Sequence, residues 1–128
     1  MQDQTEFAAY SACLLLLGLS VFQVLLAAGL PWGRFAWGGQ HRVLPRRLRI
    51  GSILAVLTYA GIALVILDAA GLISVLPERV SAILIWVTAG YFLLGVGMNL
   101  ISRSRPERIT MTPVAVLLCV LTILVALE

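Results

Sequence analysis

The side chains in this sequence that could do polar chemistry are few, and they gather in two places. One is PWGRFAWGGQHRVLPRRLR, Pro31 to Arg49, which holds Arg34, Arg42, Arg46, Arg47, Arg49 and the single histidine, His41. The other is SRSRPER, Ser102 to Arg108, with Arg103, Arg105, Arg108 and Glu107. Arginine forks bind phosphate through paired hydrogen bonds. Basic groups at a membrane face also collect anionic lipid headgroups. Arg46, Arg47, Arg49, Arg103, Arg105 and Arg108, with His41, are therefore the candidate site for an anionic lipid or phosphate. The simpler reading is that these arginines mark topology and touch lipid without selectivity. His41 could act as a base or a ligand. Without an acid or a cysteine nearby, it reads more simply as a solvated loop residue. No residue is assigned as catalytic.

Two further groups stand out inside apolar runs. Gln23 and Asn99 either line a path for a substrate or bond a neighbouring helix and specify packing. Interhelical amide bonds of that kind contribute about 1 kcal/mol in membrane bundles, and the packing role is the expected one. Cys13 and Cys119 also lie in apolar runs, with no C-x-x-C and no His/Cys spacing that would hold a metal. They read as small core residues. No metal site and no cofactor is expected.

The elements that position these groups follow from composition. The chain has 128 residues, 61% hydrophobic and 12% charged, with a mean hydropathy of +1.04. A soluble domain carries about a quarter charged residues. The apolar residues come in blocks, and blocks of roughly 18 or more read as transmembrane helices. Four spans are expected, at about 8–30, 50–70, 80–101 and 110–127. They are joined by basic loops at 31–49 and 102–109 and form an all-α, up-down-up-down integral membrane four-helix bundle. The whole chain, 1–128, is one membrane domain. No polar segment approaches the roughly 40 residues that an independent soluble domain needs.

Local signals sharpen the boundaries. The acidic start, with Asp3 and Glu6, does not resemble a secretory signal peptide. Pro31 is expected to stop the first helix, and Pro45 and Pro77 to open the second and third. Trp32, Phe35 and Trp37 suit an interfacial aromatic belt. Gly90, Gly95 and Gly97 mark the third helix as the tightly packed one. Asp68 reads as a hydrated helix-end residue, and Glu107 as a partner for Arg103 or Arg108. The fourth helix has two possible starts. Ser104 and Glu107 have capping-box spacing, whereas Thr112-Pro113 has cap-then-proline order. From Pro113 to Leu127 there are 15 residues, about 22 Å of helix, which is short for a hydrocarbon core of about 30 Å.

The chain has nine basic residues and no lysine. All but Arg79 fall in the two basic loops, which lie at the same end of an alternating bundle. By the positive-inside rule both loops face the cytoplasm and both termini face out. Basic composition here is explained by topology, so nucleic acid is not expected as a partner.

Three segments carry a resemblance. P-W-G-R-x-x-W-G-G (Pro31 to Gly39), L-P-x-x-L-R-x-x-S (Leu44 to Ser52) and N-x-x-S-x-S-x-x-E-R (Asn99 to Arg108) resemble a widespread group of small bacterial four-span integral membrane proteins with no established activity. The resemblance covers nearly the whole chain. It implies a fold and a bacterial inner-membrane setting, and no mechanism.

No Asp, Glu, Lys, Arg or His falls in the middle of any span, so the usual marks of proton relays and ion coupling are missing. Three function classes follow. The expected one is a structural or accessory membrane protein that binds a partner. The second is a small oligomeric channel or transporter, with Gln23, Asn99, Ser20 and Thr88 facing one cavity. The third is a membrane enzyme or binder that recognises lipid phosphate at the cytoplasmic face. Partners are membrane lipids, with a second copy or another membrane protein left open. A polar midplane cavity would favour transport. Convergence of Arg46, Arg47, Arg103 and Arg108 on one pocket would favour lipid recognition. A dry core with scattered arginines would favour the accessory class.

Overall fold

A chain this apolar must satisfy its backbone within each segment that crosses the bilayer, and helices do so turn by turn. The computed structural model, which describes residues 2–128, is built in this way. Among the described residues there are four long helices and no strand: α1 Gln2–Ala27, α2 Arg46–Ala69, α3 Glu78–Leu100 and α4 Arg105–Ala126. Each is long and apolar enough to cross a membrane. The expected all-α four-helix bundle is the observed fold. Its outer surface agrees: Leu14, Leu17, Leu57, Leu93 and Leu94 are between 61% and 70% exposed. A bundle meant for water would bury leucines at such density. This is a multi-pass membrane protein.

The helices end by local rules. α1 stops before Pro31, at a Schellman motif. Gly29 has φ +101°, Leu30 N–H donates to the Leu25 carbonyl at 3.1 Å, and Gly29 N–H donates to that of Leu26 at 3.1 Å. Glycine takes this left-handed position without a Cβ penalty. α2 closes the same way on Gly71, where Leu72 N–H reaches the Leu67 carbonyl at 3.0 Å. Asp68 then does more than sit in water. Its Oδ2 accepts the N–H groups of Val75 at 2.7 Å and Leu76 at 2.9 Å, and so shapes the turn into α3. Pro45 and Pro77 flank the starts of α2 and α3 as expected.

Of the two starts open to α4, the helix uses the earlier one. The Ser104 hydroxyl accepts the Glu107 N–H at 3.4 Å, and Pro113 lies inside the helix. The resulting 22 residues give about 33 Å of helix, so the fourth helix is long enough to cross. α1 extends back to Gln2, six residues before the first expected span. There the Gln2 amide reaches Glu6 at 3.4 Å and the Ala70 carbonyl at 3.5 Å.

α1 packs against α2 and α4, and α3 packs against α4, while α2 and α3 meet much less closely. The main core fills the half of the bundle away from the basic loops. Ala8, Ala9 and Ala12 of α1 meet Ile66 of α2 and Leu118 and Val125 of α4 there. The small residues that allow close approach are thus the alanines of α1. α3 does pack closely, against α4, but not through its glycines as expected: Gly90 and Gly97 are exposed, and a methyl added at Gly90, Gly95 or Gly97 would meet nothing within 4 Å. α3 turns Ser81, Ile85, Thr88, Ala89 and Phe92 inward instead. A second small cluster, Leu26, Ala36 and Leu44, sits at the basic end. Between the two clusters the helices do not close.

Candidate functional site

The connection from Pro31 to Pro45 folds back under the bundle instead of extending into solvent. Its glycines permit this. Gly33 N–H donates to the Arg42 carbonyl at 2.8 Å, and a methyl at Gly33 would collide with the His41 carbonyl oxygen. The loop therefore closes on itself as a hairpin-like knot. Gly38 and Gly39 adopt φ +75° and +70° and turn the chain beneath α4. Trp37, at φ +54°, is the one non-glycine residue in that region among the described residues. Such a conformation costs about 1–2 kcal/mol for a residue with a Cβ. Trp37 is held there by two contacts. Its Nε1–H donates to Ser52 Oγ at 3.2 Å, and its ring lies so close over Gly51 that a methyl there would approach Cη2 to 2.8 Å.

α4 completes the joint. Ser104 Oγ donates to the Arg34 carbonyl and caps α4 by accepting from Glu107. Glu107 Oε2 accepts the Gly38 N–H at 3.3 Å. The segments Pro31–Gly39, Leu44–Ser52 and Asn99–Arg108 thus bond one another at a single place. The loop becomes a floor across the basic end of the bundle.

Above that floor lies a cavity of about 530 Å³, open on one side. All four helices line it. Gln23 comes from α1, Tyr59 from α2, Tyr91, Gly95 and Asn99 from α3, and Glu107 and Met111 from α4, with Phe35, Trp37 and Gly38 from the floor. Most of the wall is apolar or aromatic. The polar groups cluster toward the basic end. Gln23 reaches Tyr59 across α1 and α2, yet its Oε1 is buried without a hydrogen-bond partner. Glu107 is 8% exposed.

Several expected site residues fall elsewhere. Gln23 and Asn99 do share one cavity, which runs from the floor to the level of Tyr59, Phe92 and Ala115 near the middle of their helices. Ser20 and Thr88 do not line it; Thr88 is buried and its hydroxyl donates back to the Leu84 carbonyl at 2.9 Å. Phe35 and Trp37, expected in an interfacial belt, line the cavity from the floor. Arg34 stacks on Phe35, 4.9 Å from the ring centroid.

The arginines do not gather in one pocket. Arg49 Nε donates to the Leu44 carbonyl at 2.8 Å, and its guanidinium packs over Gly29 at the end of α1. Arg108 Nη1 donates to the Ser102 carbonyl at 2.9 Å. Glu107 therefore takes its bond from Gly38 and not from Arg103 or Arg108. Arg46 and Arg49 border a shallow groove with Val24, Ala27, Ile50 and Ile53. Arg103, Arg105 and Arg47 are exposed, and half-buried His41 meets Gly33 through its backbone carbonyl.

Sequence reasoning missed Glu107 as a cavity residue. It is the only Asp, Glu, Lys, Arg or His in the cavity wall among the described residues. The capping-box pattern was the available signal, but that pattern speaks only for the helix end. The chain matches no family model, no curated protein and no solved structure.

Proposed function

We propose that this chain is a small-molecule binding protein of the carrier class, embedded in a bacterial inner membrane with its basic end toward the cytoplasm. Its ligand is amphipathic, with an apolar body against the aromatic wall and a polar head near the floor. The carrying observation is the cavity itself. Ligand sites run from about 300 to 1,000 Å³, are mostly apolar, hold a few convergent polar groups and often lie between bundle helices. This cavity has each of those properties. Its opposite half-bundle is packed, so the helices form a cup. The loose meeting of α2 and α3 supports entry from the lipid side.

The test uses Trp37, which lines the cavity. With Trp32 and Trp86 changed to phenylalanine, the chain in lipid nanodiscs holds a single tryptophan. A brominated long-chain alcohol is expected to quench it saturably. Gly95→Phe, placed where an added Cβ meets only open space, fills the cavity and is expected to weaken that quenching about tenfold, the factor that 1.4 kcal/mol of lost binding produces. Quenching that rises linearly with probe in the bilayer and ignores Gly95→Phe overturns the reading.

A second reading has one observation behind it. Arg46 and Arg49 border an apolar groove between α1 and α2, which fits an anionic phospholipid with its phosphate on the guanidinium groups. Native mass spectrometry from mixed-lipid nanodiscs is expected to retain phosphatidylglycerol over phosphatidylcholine. Equal retention, or retention unchanged in Arg46→Gln/Arg49→Gln, removes this reading.

A further inference from the structure

The cavity's charge points to the kind of head it takes. Resting on the ligand-binding reading above, we infer that the ligand is a cationic amphipath, and that its ammonium head pairs with Glu107.

Glu107 is a carboxyl group in an unusual place. It is buried, it lines the cavity, and it stands beside apolar and aromatic neighbours. Its side chain makes one hydrogen bond among the described residues, to the Gly38 N–H at 3.3 Å. That is longer than the usual N–H···O distance of about 2.9–3.0 Å. An ionised carboxylate offers about four acceptor sites, so most of its capacity is unspent. Buried charges are ordinarily paired. The arginines at this end are turned to other acceptors: Arg49 to the Leu44 carbonyl and Arg108 to the Ser102 carbonyl. None lines the cavity.

The rest of the wall agrees with a donor-bearing guest. Gln23 Oε1 is a buried acceptor with no partner, on the α1 wall of the same cavity. An ammonium on Glu107, with a second N–H or O–H along the molecule reaching Gln23, would satisfy both. The aromatic wall adds to this preference, since the faces of Trp37, Tyr59 and Tyr91 attract cations. Without ligand, the carboxylate is held by Gly38 and by its place in the first turn of α4, where the helix dipole favours negative charge. An ammonium head takes the acceptor sites that the Gly38 bond leaves free.

The test is a matched pair of probes on the single-tryptophan chain in nanodiscs of zwitterionic lipid. The probes are brominated long-chain primary amine and alcohol of equal chain length, with the alkyl sulfate as a third. The amine is expected to saturate at least about tenfold below the alcohol after correction for partitioning. Glu107→Gln is expected to erase that difference. Glu107→Asp is expected to keep the preference for the amine. The comparison on the otherwise unaltered chain decides the matter even where Glu107→Gln fails to fold. Amine and alcohol of equal affinity, or a preferred sulfate, overturn the cationic inference and leave the cavity reading intact. Absence of saturable binding by any probe overturns both.

Discussion

Gly33→Ala is expected to unfold the basic end of the bundle and to cost about 3 kcal/mol or more, the range in which overpacking a site that cannot yield becomes the dominant effect. The added methyl would overlap the His41 carbonyl oxygen and lie 2.8 Å from the Arg42 carbonyl oxygen. Both are backbone atoms. They cannot rotate away as a side chain would. Moving them breaks the Gly33 N–H bond to Arg42, which closes the loop. The floor then parts from α4, and Trp37 loses its support. Thermal unfolding in detergent, followed by tryptophan fluorescence, reads this directly. Gly61→Ala and Gly90→Ala are the controls, because an added methyl at either meets nothing within 4 Å. Alanine in a helix interior is about 1 kcal/mol better than glycine, so both controls should be neutral or slightly stabilising. A Gly33→Ala chain as stable as the parent would show that the loop does not close on itself.

Ser104→Ala is expected to cost about 2 kcal/mol, with two contributions. Losing a serine N-cap costs about 1 kcal/mol, and leaving the Arg34 carbonyl without its donor adds about 1 kcal/mol more. The two can be separated. Asp at position 104 can cap the helix, but it has no proton to give Arg34. Ser104→Asp should therefore recover the α4 contribution and not the loop contribution. Hydrogen exchange distinguishes them by place: the Glu107 amide reports the cap, and the Gly38 and Gly39 amides report the loop. Exchange that rises at Glu107 alone in Ser104→Ala would dismiss the joint between loop and helix.

Ser104 also shows how far the sequence could be read. The spacing of Ser104 and Glu107 and the order Thr112-Pro113 are equally good local starts for α4. Only length separates them, since a start at Pro113 leaves about 22 Å of helix for a core of about 30 Å. What the sequence does not show is that the Ser104 hydroxyl also meets Arg34, seventy positions earlier. Asp68 is a similar case. Its acidic type at a helix end is visible in the chain, but its two N–H partners depend on how residues 70–77 turn. For Glu107, charge patterning offered Arg103 and Arg108 as partners. The folded loop brought Gly38 nearer.

By itself the sequence determined the class of the protein. Four apolar blocks must become helices, because lipid gives a backbone no other partner, and the short connections then force alternation. The clustering of arginines at one end is likewise a property of the chain. Helix facing was left to the tertiary structure. When a helix is apolar all round, periodicity does not say which side meets protein and which meets lipid, so Gly90 and Gly97 of α3 could be read inward although they face out. The cavity was also decided there. It exists because the core closes only in one half of the bundle, and because Gly33, Gly39 and Gly51 let the loop approach closely enough to form its floor.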